Sequence, residues 1–549
     1  MTHPPQRDRT AGNRPGRWFL ICAVVVMMPL AISAATFLFI AGLPETYLDK
    51  DISMMELYTL HAARGQQMVG PYSRFGWNHP GPALFYALVP LYQLSGKNAS
   101  SLFLSARLMN LACIGLVLAA LWIFLRKRDW NLLWCSIALL PFYLSYIGAL
   151  RLASPWNPDI ILLPLLLFTV LAAAFSVGNA YVLPLLLAVG SLVVQSHVGS
   201  FPCVLAITGV SFALFAVERG RGVEPLNRSS ARAVWIWALL SLALLAAMWA
   251  LPIREELQQS PGNLEKLYAF FVSPPKGYQF SDAFLALAQL MSWLPLLLLR
   301  SLPVDIPRFE YEVIAGIFAP AQLGLLVWSC ASALRRRQRF RAYLGLLAAA
   351  GGMAAFWSAT RITGDIFAYL LYWVSALGLV SWWVIGAGVL EAVVCRAGDE
   401  PIQGRMRFVP GLVFLLALAA SAPQILPAIR GSLDPPGHTE KVKRLSQPVI
   451  QYLKAHDVKQ PLILFDWSNW SLEVGVITQL YKANIGFCVE NTWLTHKGGW
   501  PLFFPDRCDS SVPRRKQIRF EGEPPADVSR GTCIARYGGT SVWILDSNP

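Results

Sequence analysis

Charged side chains are scarce in this chain. Asp, Glu, Lys and Arg make up only 14% of its 549 residues, while apolar residues make up 55%. Soluble domains carry about 25% charged residues, so the composition excludes an ordinary water-soluble protein and indicates many membrane-spanning helices. The sequence also lacks an internal repeat, a glycine-rich phosphate loop, a zinc motif and a low-complexity tract. The usual signatures of soluble nucleotide-binding and zinc enzymes are therefore absent.

Cysteines with metal-binding spacing are absent as well. Six of the nine cysteines lie in or beside apolar stretches and are expected to be small apolar fillers: Cys22, Cys113, Cys135, Cys203, Cys330 and Cys395. The other three, Cys488, Cys508 and Cys533, lie near the C-terminus. An oxidising compartment would permit one disulfide among them, and we expect it to join Cys508 to Cys533.

Apolar stretches long enough to cross a bilayer are abundant. About 20 apolar residues in a helix span the roughly 30 Å of hydrocarbon. Eleven such stretches lie near residues 18–42, 101–125, 130–148, 159–177, 180–197, 200–217, 233–252, 312–334, 341–358, 366–394 and 408–428. A further apolar segment near 284–299 is predicted to be interfacial or re-entrant, because counting it as a span would move the arginines at 335–341 to the opposite face.

Basic clusters predict the orientation of the chain in a bacterial inner membrane. The tail at residues 1–17 carries four arginines and is followed by no small-residue cleavage site, so a retained signal anchor with a cytoplasmic N-terminus is expected. Alternating spans then place every basic cluster on the cytoplasmic side, as the positive-inside rule requires. The net charge of +14 is thereby explained by topology and anionic headgroups, and we expect no nucleic-acid partner.

The end of the chain differs from the transmembrane domain at 18–429. Charges return after the turn-forming sequence Asp434-Pro435-Pro436-Gly437. The patterns predict helices over 440–456 and 471–482 and strands over 461–466 and 485–489. We therefore predict an α-helical polytopic membrane protein with a small extracytoplasmic α/β domain at 430–549.

Polar and aromatic side chains are concentrated in the first outer loop, residues 43–100. Asp49, Asp51 and Glu56 follow the first span directly. A partly buried carboxylate near a phosphate is suited to act as a general base, whereas an acidic interfacial collar is the alternative. Asp51 fits the base best and Glu56 is the second carboxylate, but the choice among the three stays open.

Residues 70–82 read G-P-Y-S-R-F-G-W-N-H-P-G-P. Their Gly and Pro residues exclude a regular helix and predict a shaped loop. Arg74 is suited to a phosphate oxygen, and His79 could add a second donor or a proton. Three aromatic residues are candidates for stacking on a sugar ring, with a headgroup-level aromatic belt as the alternative: Tyr72, Trp77 and Trp156.

The chain resembles the GT-C class of membrane glycosyltransferases, which includes protein-mannosyltransferase-like and arabinosyltransferase-like branches. The resemblance covers residues 15–430, and the string at 70–82 is its specific part. Weaker matches are the acidic stretch at 51–57 and the motifs W-N-P at 156–158, Q-S-H-V-G at 195–199 and P-G-N-L at 261–264. The C-terminal domain resembles no family that we can name.

This resemblance implies sugar transfer from a polyprenyl-phosphate donor to a hydroxyl of a cell-envelope glycan, lipid or protein on the outer face. It assigns Asp51 as the base and Glu56 as the accompanying acid. Many members carry adjacent Asp and Glu, whereas here four residues separate Asp51 from Glu56. No cofactor is implied beyond the donor lipid, and nothing in the sequence supports a divalent metal.

Other polar residues at the predicted outer face are candidates for substrate binding: Asn157, Asp159, His197 and Arg361. Asp159 is either a second carboxylate or a favourable charge at a helix start. His197 ends a span, where polar residues are often functional. A long outer loop at 253–311 is expected to cover the donor lipid.

A transporter or lipid-linked saccharide flippase is the main alternative. The sequence shows no inverted repeat or paired broken helices, and its polar residues are concentrated at one face and not near the midplane, which argues against that class. A non-catalytic assembly protein is a third alternative, and it would not need Asp51.

Overall fold

The computed structural model describes residues 14–73, 75–221, 230–272, 280–300, 308–396, 409–433, 439–464, 469–489, 516–521 and 531–546. These residues form a helical membrane part and a five-stranded sheet near the C-terminus. The predicted fold class, a polytopic helical membrane protein with a small C-terminal α/β domain, is confirmed.

Long helices dominate the membrane part because its leucine-rich and alanine-rich stretches form helices readily and satisfy their own backbone hydrogen bonds in lipid. The helices are α1 Arg14–Ala35, α2 Lys50–Ala63, α3 Ala83–Leu94, α4 Ser100–Leu125, α5 Trp130–Ile147, α6 Ala149–Ala153, α7 Asn157–Ile160, α8 Leu162–Ser176, α9 Leu183–Ser196, α10 Phe201–Gly220, α11 Ala231–Gln258, α12 Asn263–Val272, α13 Phe280–Met291, α14 Trp293–Arg300, α15 Arg308–Arg335, α16 Arg339–Ala359, α17 Val374–Arg396 and α18 Val409–Leu433.

Ten segments of the described chain are long and apolar enough to cross a bilayer. They are Gly16–Ile40, Ser100–Leu125, Trp130–Ile147, Asn157–Ser176, Val198–Gly220, Ala231–Gln258, Val313–Arg335, Arg339–Ala359, Val374–Val393 and Val409–Gly431. Two other apolar segments are ambiguous by length alone. Ala180–Ser196 is shorter, and α13 and α14 form a pair bent by 72°.

Ion pairs between helix ends show whether the bent pair of α13 and α14 crosses the membrane. Glu218, near the end of α10, forms an ion pair with Arg339 at the start of α16. Both residues therefore lie at one end of the bundle, and an even number of crossings separates them. Because α11 and α15 supply two crossings, α13 and α14 cannot supply a third. The pair is re-entrant, as predicted for residues 284–299.

The same argument makes Ala180–Ser196 a crossing helix. Asp129, just before α5, pairs with Arg341, which is two residues beyond Arg339. Asp129 and Glu218 consequently lie at the same end, so an even number of crossings separates them. The segments ending at Ile147, Ser176 and Gly220 supply three. Ala180–Ser196 supplies the fourth, which gives the eleven spans predicted from the sequence.

The C-terminal domain contains helices α19 Thr439–Ala455 and α20 Trp470–Lys482 and strands β1 Leu462–Leu464, β2 Cys488–Val489, β3 Lys516–Glu521, β4 Gly531–Tyr537 and β5 Thr540–Asp546. The strand order is β2-β1-β3-β5-β4, with β1 parallel to β2 and β3, and β5 antiparallel to β3 and β4. Gly538 and Gly539, at φ +56° and +77°, form the two-residue turn between β4 and β5, which requires positive φ. The predicted helices and first two strands are present.

One disulfide prediction is wrong. Cys533 is a free, exposed thiol, so it does not pair with Cys508, which lies outside the described residues. Cys488 is the disulfide-bonded cysteine of the described chain. Sequence spacing could not show which cysteines form a disulfide, because the fold decides which thiols lie close enough to react.

The C-terminal domain packs directly on α2. The Ser53 and Thr478 hydroxyls lie 2.9 Å apart, and a Cβ on Gly475 would lie 2.6 Å from the carbonyl oxygen of Leu48. Thr46, in the same outer loop, hydrogen-bonds Ser100 at the start of α4. The first loop and the C-terminal domain therefore share one end of the bundle. Asp129, beyond the far end of α4, marks the opposite end.

Candidate functional site

Asp51 stands in the first turn of α2, where the helix dipole favours a carboxylate. The side chain is half-buried, and its Oδ1 accepts a hydrogen bond from the Tyr72 hydroxyl. Burial raises the pKa of Asp51 above its usual value, opposed by the hydrogen bond from Tyr72 and the charge of Lys50. The result is a carboxylate with increased proton affinity that is held by a neutral donor.

The loop at 70–82 holds Tyr72 in place through its own backbone. Gly70 N–H donates to the His79 carbonyl at 2.8 Å, and His79 N–H donates to the Pro71 carbonyl at 2.8 Å. A Cβ on Gly70 would lie 2.6 Å from the Gln195 carbonyl oxygen, so only glycine fits this close approach. Arg74, predicted to bind phosphate, lies outside the described residues.

Two of the shorter motifs support this loop. Gln195 accepts a hydrogen bond from Ala83 N–H through Oε1 at 3.2 Å and from Gly81 N–H through its carbonyl at 3.4 Å. Asn263 accepts from Asn78 N–H at 2.7 Å and donates to the Asn78 carbonyl at 2.9 Å. These side chains replace the backbone partners that an irregular loop lacks. They position the loop.

The W-N-P motif reaches the same region. Asn157 is buried and donates from Nδ2 to the Ser196 carbonyl at 3.0 Å, which ties α7 to the end of α9. Asp159 lies in the first turn of α7 and accepts a hydrogen bond from Ser154. The Oδ1 atom of Asp159 is buried without a hydrogen-bond partner among the described residues. The position of Asp159 agrees with one of its two predicted roles, that of a favourable charge at a helix start.

Two histidines meet behind the loop. The rings of His79 and His197 stack with centroids 5.2 Å apart, and Val198 N–H donates to His79 Nδ1 at 3.0 Å. Burial lowers the pKa of His197 to about 4 and that of His79 well below its usual value, with the His197 charge a further cause for His79. Both rings are neutral at pH 7. His79, with Nδ1 as an acceptor, carries its proton on Nε2 and can donate it without being a cation.

Aromatic rings form one side of the Asp51 site. Burial and the Asp51 charge raise the pKa of Tyr72 well above its usual value, and Tyr369 adds a smaller contribution that places it nearby. The Tyr369 ring packs against Trp156 with centroids 5.0 Å apart. Trp156 is therefore in the same region as Tyr72. Tyr369 is an additional residue of this wall, and its position 318 residues after Asp51 in the sequence offered no spacing signal.

Trp77 has different surroundings. Its ring lies 5.4 Å from Phe270 and 5.9 Å from Phe271 in α12, and the side chain is only 7% exposed. Because aromatic neighbours from α12 cover the ring, it anchors that helix to the loop. Trp156, which is half-buried, is more accessible than Trp77.

Arg151 and Arg361 also lie at this end of the bundle. Arg151 donates to the Tyr372 hydroxyl at 2.8 Å, with its guanidinium 4.1 Å from the Tyr372 ring centroid. Arg361 lies 5.0 Å from the Trp357 ring centroid. Both are half-buried. Stacked on aromatic rings, they keep most of their five N–H donors available for an anion.

Glu56 is not brought to Asp51. It is fully buried and accepts hydrogen bonds from the Tyr92 hydroxyl and Lys482 Nζ, both at 2.9 Å. The ion pair with Lys482 joins α2 to α20 of the C-terminal domain. Helical spacing placed Glu56 in the right element, but only the position of the C-terminal domain shows which way it faces.

An apolar cavity of about 360 Å³ lies between α13, α15 and α16. Met291, Leu323 and Met353 line it, and the last two are 54% and 70% exposed on the side that meets lipid. Phe356 is at one end of the lining. Two residues further along α16, Ser358 donates to the Gly199 carbonyl at 2.7 Å, beside the turn that carries His197. Within the described residues, no group of three or more His, Cys, Asp and Glu side chains could hold a metal ion.

No protein-family model matches the chain, and no curated protein matches it. Among solved structures it is similar to the crystal structure of ArnT from Cupriavidus metallidurans bound to undecaprenyl phosphate, at 13% identity and a TM-score of 0.48. The apo structure of the same protein matches at 12% identity and a TM-score of 0.47. Both alignments cover 97% of this chain and 98% of the other chain. Similarity at this level carries no argument about activity.

Proposed function

We propose that the protein is a GT-C membrane glycosyltransferase that moves a sugar from a polyprenyl-phosphate donor to a hydroxyl acceptor of the cell envelope, with Asp51 as the general base. The observation that carries the proposal is the Asp51 carboxylate itself. It is half-buried with a raised pKa, is bound by a neutral tyrosine, and lies at the end of the bundle opposite the arginine clusters. A base that must gain a proton during the reaction needs this kind of environment.

In the proposed reaction, Asp51 removes the proton of the acceptor hydroxyl as its oxygen attacks the anomeric carbon. The new C–O bond forms as the bond from that carbon to the phosphate oxygen breaks, and the departing phosphate keeps the electron pair. Attack opposite the leaving group inverts the anomeric centre. In this proposal the charge on the phosphate is stabilised by positive and N–H groups at this end of the bundle, namely Arg151, Arg361 and His79 Nε2.

The remaining parts of the substrate have matching surfaces. Trp156 and Tyr369 offer aromatic faces of the kind that stack on a sugar ring. The apolar cavity between α13, α15 and α16 suits the prenyl chain, since its outer end is two residues from Ser358, which contacts the His197 turn. An apolar channel ending at polar donors is the expected form of a lipid-phosphate site.

The proposal is tested by sugar transfer in membranes containing the full-length protein, supplied with a panel of polyprenyl-phosphate sugars and with envelope acceptors. Asp51→Asn keeps the shape of the side chain but removes the base, so transfer should fall by about 10² to 10⁴-fold while expression is retained. Asp457→Asn is the matched control, because Asp457 is 84% exposed in the C-terminal domain. Full transfer by Asp51→Asn would overturn the assignment. Unchanged glycans with altered solute uptake in a deletion strain would favour a transporter.

A further inference from the structure

A second cavity, which is polar, lies at the opposite end of the bundle from Asp51. It has a volume of about 570 Å³ and is bounded by the ends of α4 and α10, the turn between α8 and α9, and the turn between α15 and α16. Arginines dominate its polar lining: Arg128, Arg219, Arg336, Arg337, Arg339 and Arg341. No step of the proposed transfer reaction uses this end of the protein.

The carboxylates near the cavity leave positive charge in excess. Asp129 and Glu218 line it, and Glu391 pairs with Arg336 and Arg341. Among the described residues, six guanidinium groups thus face three carboxylates. Glu218 already accepts hydrogen bonds from three donors: Arg339, Arg221 and the Tyr343 hydroxyl.

Arg341 supplies an independent sign of a missing acceptor. Its side chain is 0% exposed, and it pairs with Glu391 through Nη2 and with Asp129 through Nε at 3.4 Å. Its Nη1 is buried, and among the described residues neither Nη1, nor Nε, nor the buried Oδ2 of Asp129 has a hydrogen-bond partner. A buried guanidinium N–H without an acceptor is unfavourable. Since Arg341 lines the cavity, the missing acceptor is expected from a bound molecule.

We propose that this cavity binds a phosphoryl group. Several planar guanidinium groups around one cavity match the oxygens of a phosphate monoester or diester, which accept pairs of parallel N–H donors. The volume exceeds that of a single phosphate and leaves room for an attached group. Two sources share this chemistry: the headgroup of an anionic phospholipid at the adjacent membrane surface, and a soluble phosphorylated compound.

The test uses purified full-length protein and two double variants, each of which removes two positive charges. Arg128→Gln with Arg337→Gln removes two lining arginines that are exposed at the cavity mouth. Arg126→Gln with Lys127→Gln is the matched control, because these residues are in the same loop as Arg128 but do not line the cavity. Binding of inorganic phosphate and glycerol 3-phosphate is measured by calorimetry. Binding of phosphatidylglycerol is measured by the thermal shift between phosphatidylcholine nanodiscs with and without it.

The two sources give different results. A lipid headgroup predicts stabilisation by phosphatidylglycerol and no calorimetric binding of the soluble phosphates; a soluble ligand predicts the reverse. In either case the cavity variant should bind about tenfold or more weakly, as expected for lost hydrogen bonds to a charged group, and the control variant should bind normally. Absence of binding to every probe, or equal loss in both variants, would overturn the proposal. Neither outcome bears on Asp51, because sugar transfer is not measured.

Discussion

The two ends of the helix bundle bury charge in opposite ways. At the arginine-rich end, Arg341 pairs with Asp129 and Glu391, and Glu218 pairs with Arg339. At the other end, Asp51 receives its hydrogen bond from the neutral Tyr72 hydroxyl. Paired charges are held in one protonation state, whereas a half-buried carboxylate with a neutral partner can gain and lose a proton. The first arrangement stabilises the fold and fixes its topology, and the second is suited to chemistry.

The difference should appear most strongly when Arg341 is replaced. Arg341→Met leaves Asp129 buried without a cation and Glu391 with only the more exposed Arg336, so the free energy of unfolding should fall by roughly 3–5 kcal/mol. Thermal unfolding in detergent measures the loss. The triple variant Arg341→Met, Asp129→Asn and Glu391→Gln should regain most of it, because no buried charge is left unpaired. Sugar transfer per folded molecule should be unchanged in both, and a selective loss of transfer would break the comparison.

A smaller loss is expected at the contact between α2 and the C-terminal domain. Glu56→Gln removes the ion pair with Lys482 but keeps a hydrogen-bond acceptor for Tyr92. The free energy of unfolding should fall by about 1–3 kcal/mol, since the Lys482 ammonium is itself partly solvated. Limited proteolysis should release the C-terminal domain faster than in the Glu440→Gln control, whose side chain is 55% exposed. If Glu56→Gln lost as much transfer activity as Asp51→Asn while the C-terminal domain stayed docked, Glu56 would have a direct role in the transfer reaction.

A substitution in the loop at 70–82 tests whether this loop positions Tyr72 for the reaction. Gly70→Ala places a Cβ 2.6 Å from the Gln195 carbonyl oxygen, so the loop must move and carry Tyr72 with it. Transfer should fall about 10 to 100-fold, the cost expected for misplacing a reacting group by about 1 Å. Gly209→Ala is the control, because a Cβ there would meet nothing within 4 Å. Equal activity of the two variants would show that the loop does not position the site.

Much of the membrane part could be predicted from the sequence, since apolar length and arginine placement report directly on the bilayer. The re-entrant segment near 284–299 was predicted from the position of the arginines at 335–341, and the Glu218–Arg339 ion pair agrees with that prediction. The C-terminal hairpin was missed although its signal was present. Gly538-Gly539 lies between two strand-forming runs, which is a recognised turn pattern.

The candidate site was only partly predictable. The Gly and Pro residues at 70–82 indicated a shaped loop, but its supports, Gln195 and Asn263, come from distant parts of the chain. Tyr369 joins the aromatic wall for the same reason. Helical spacing left the orientation of Glu56 open because contact with α20, more than 400 residues away, decides it. Long-range packing is what the sequence alone does not display.

The pH dependence of sugar transfer in the wild type and in Tyr72→Phe tests the central claim most directly. Asp51 must be ionised to act as a base, so transfer should fall as the pH drops through its raised pKa. Tyr72→Phe removes the hydrogen bond that lowers this pKa, and the falling limb should move to higher pH by about one unit, since roughly 1.4 kcal/mol corresponds to one pKa unit. An acid limb that is absent, or that stays in place or moves to lower pH in the variant, would contradict the account.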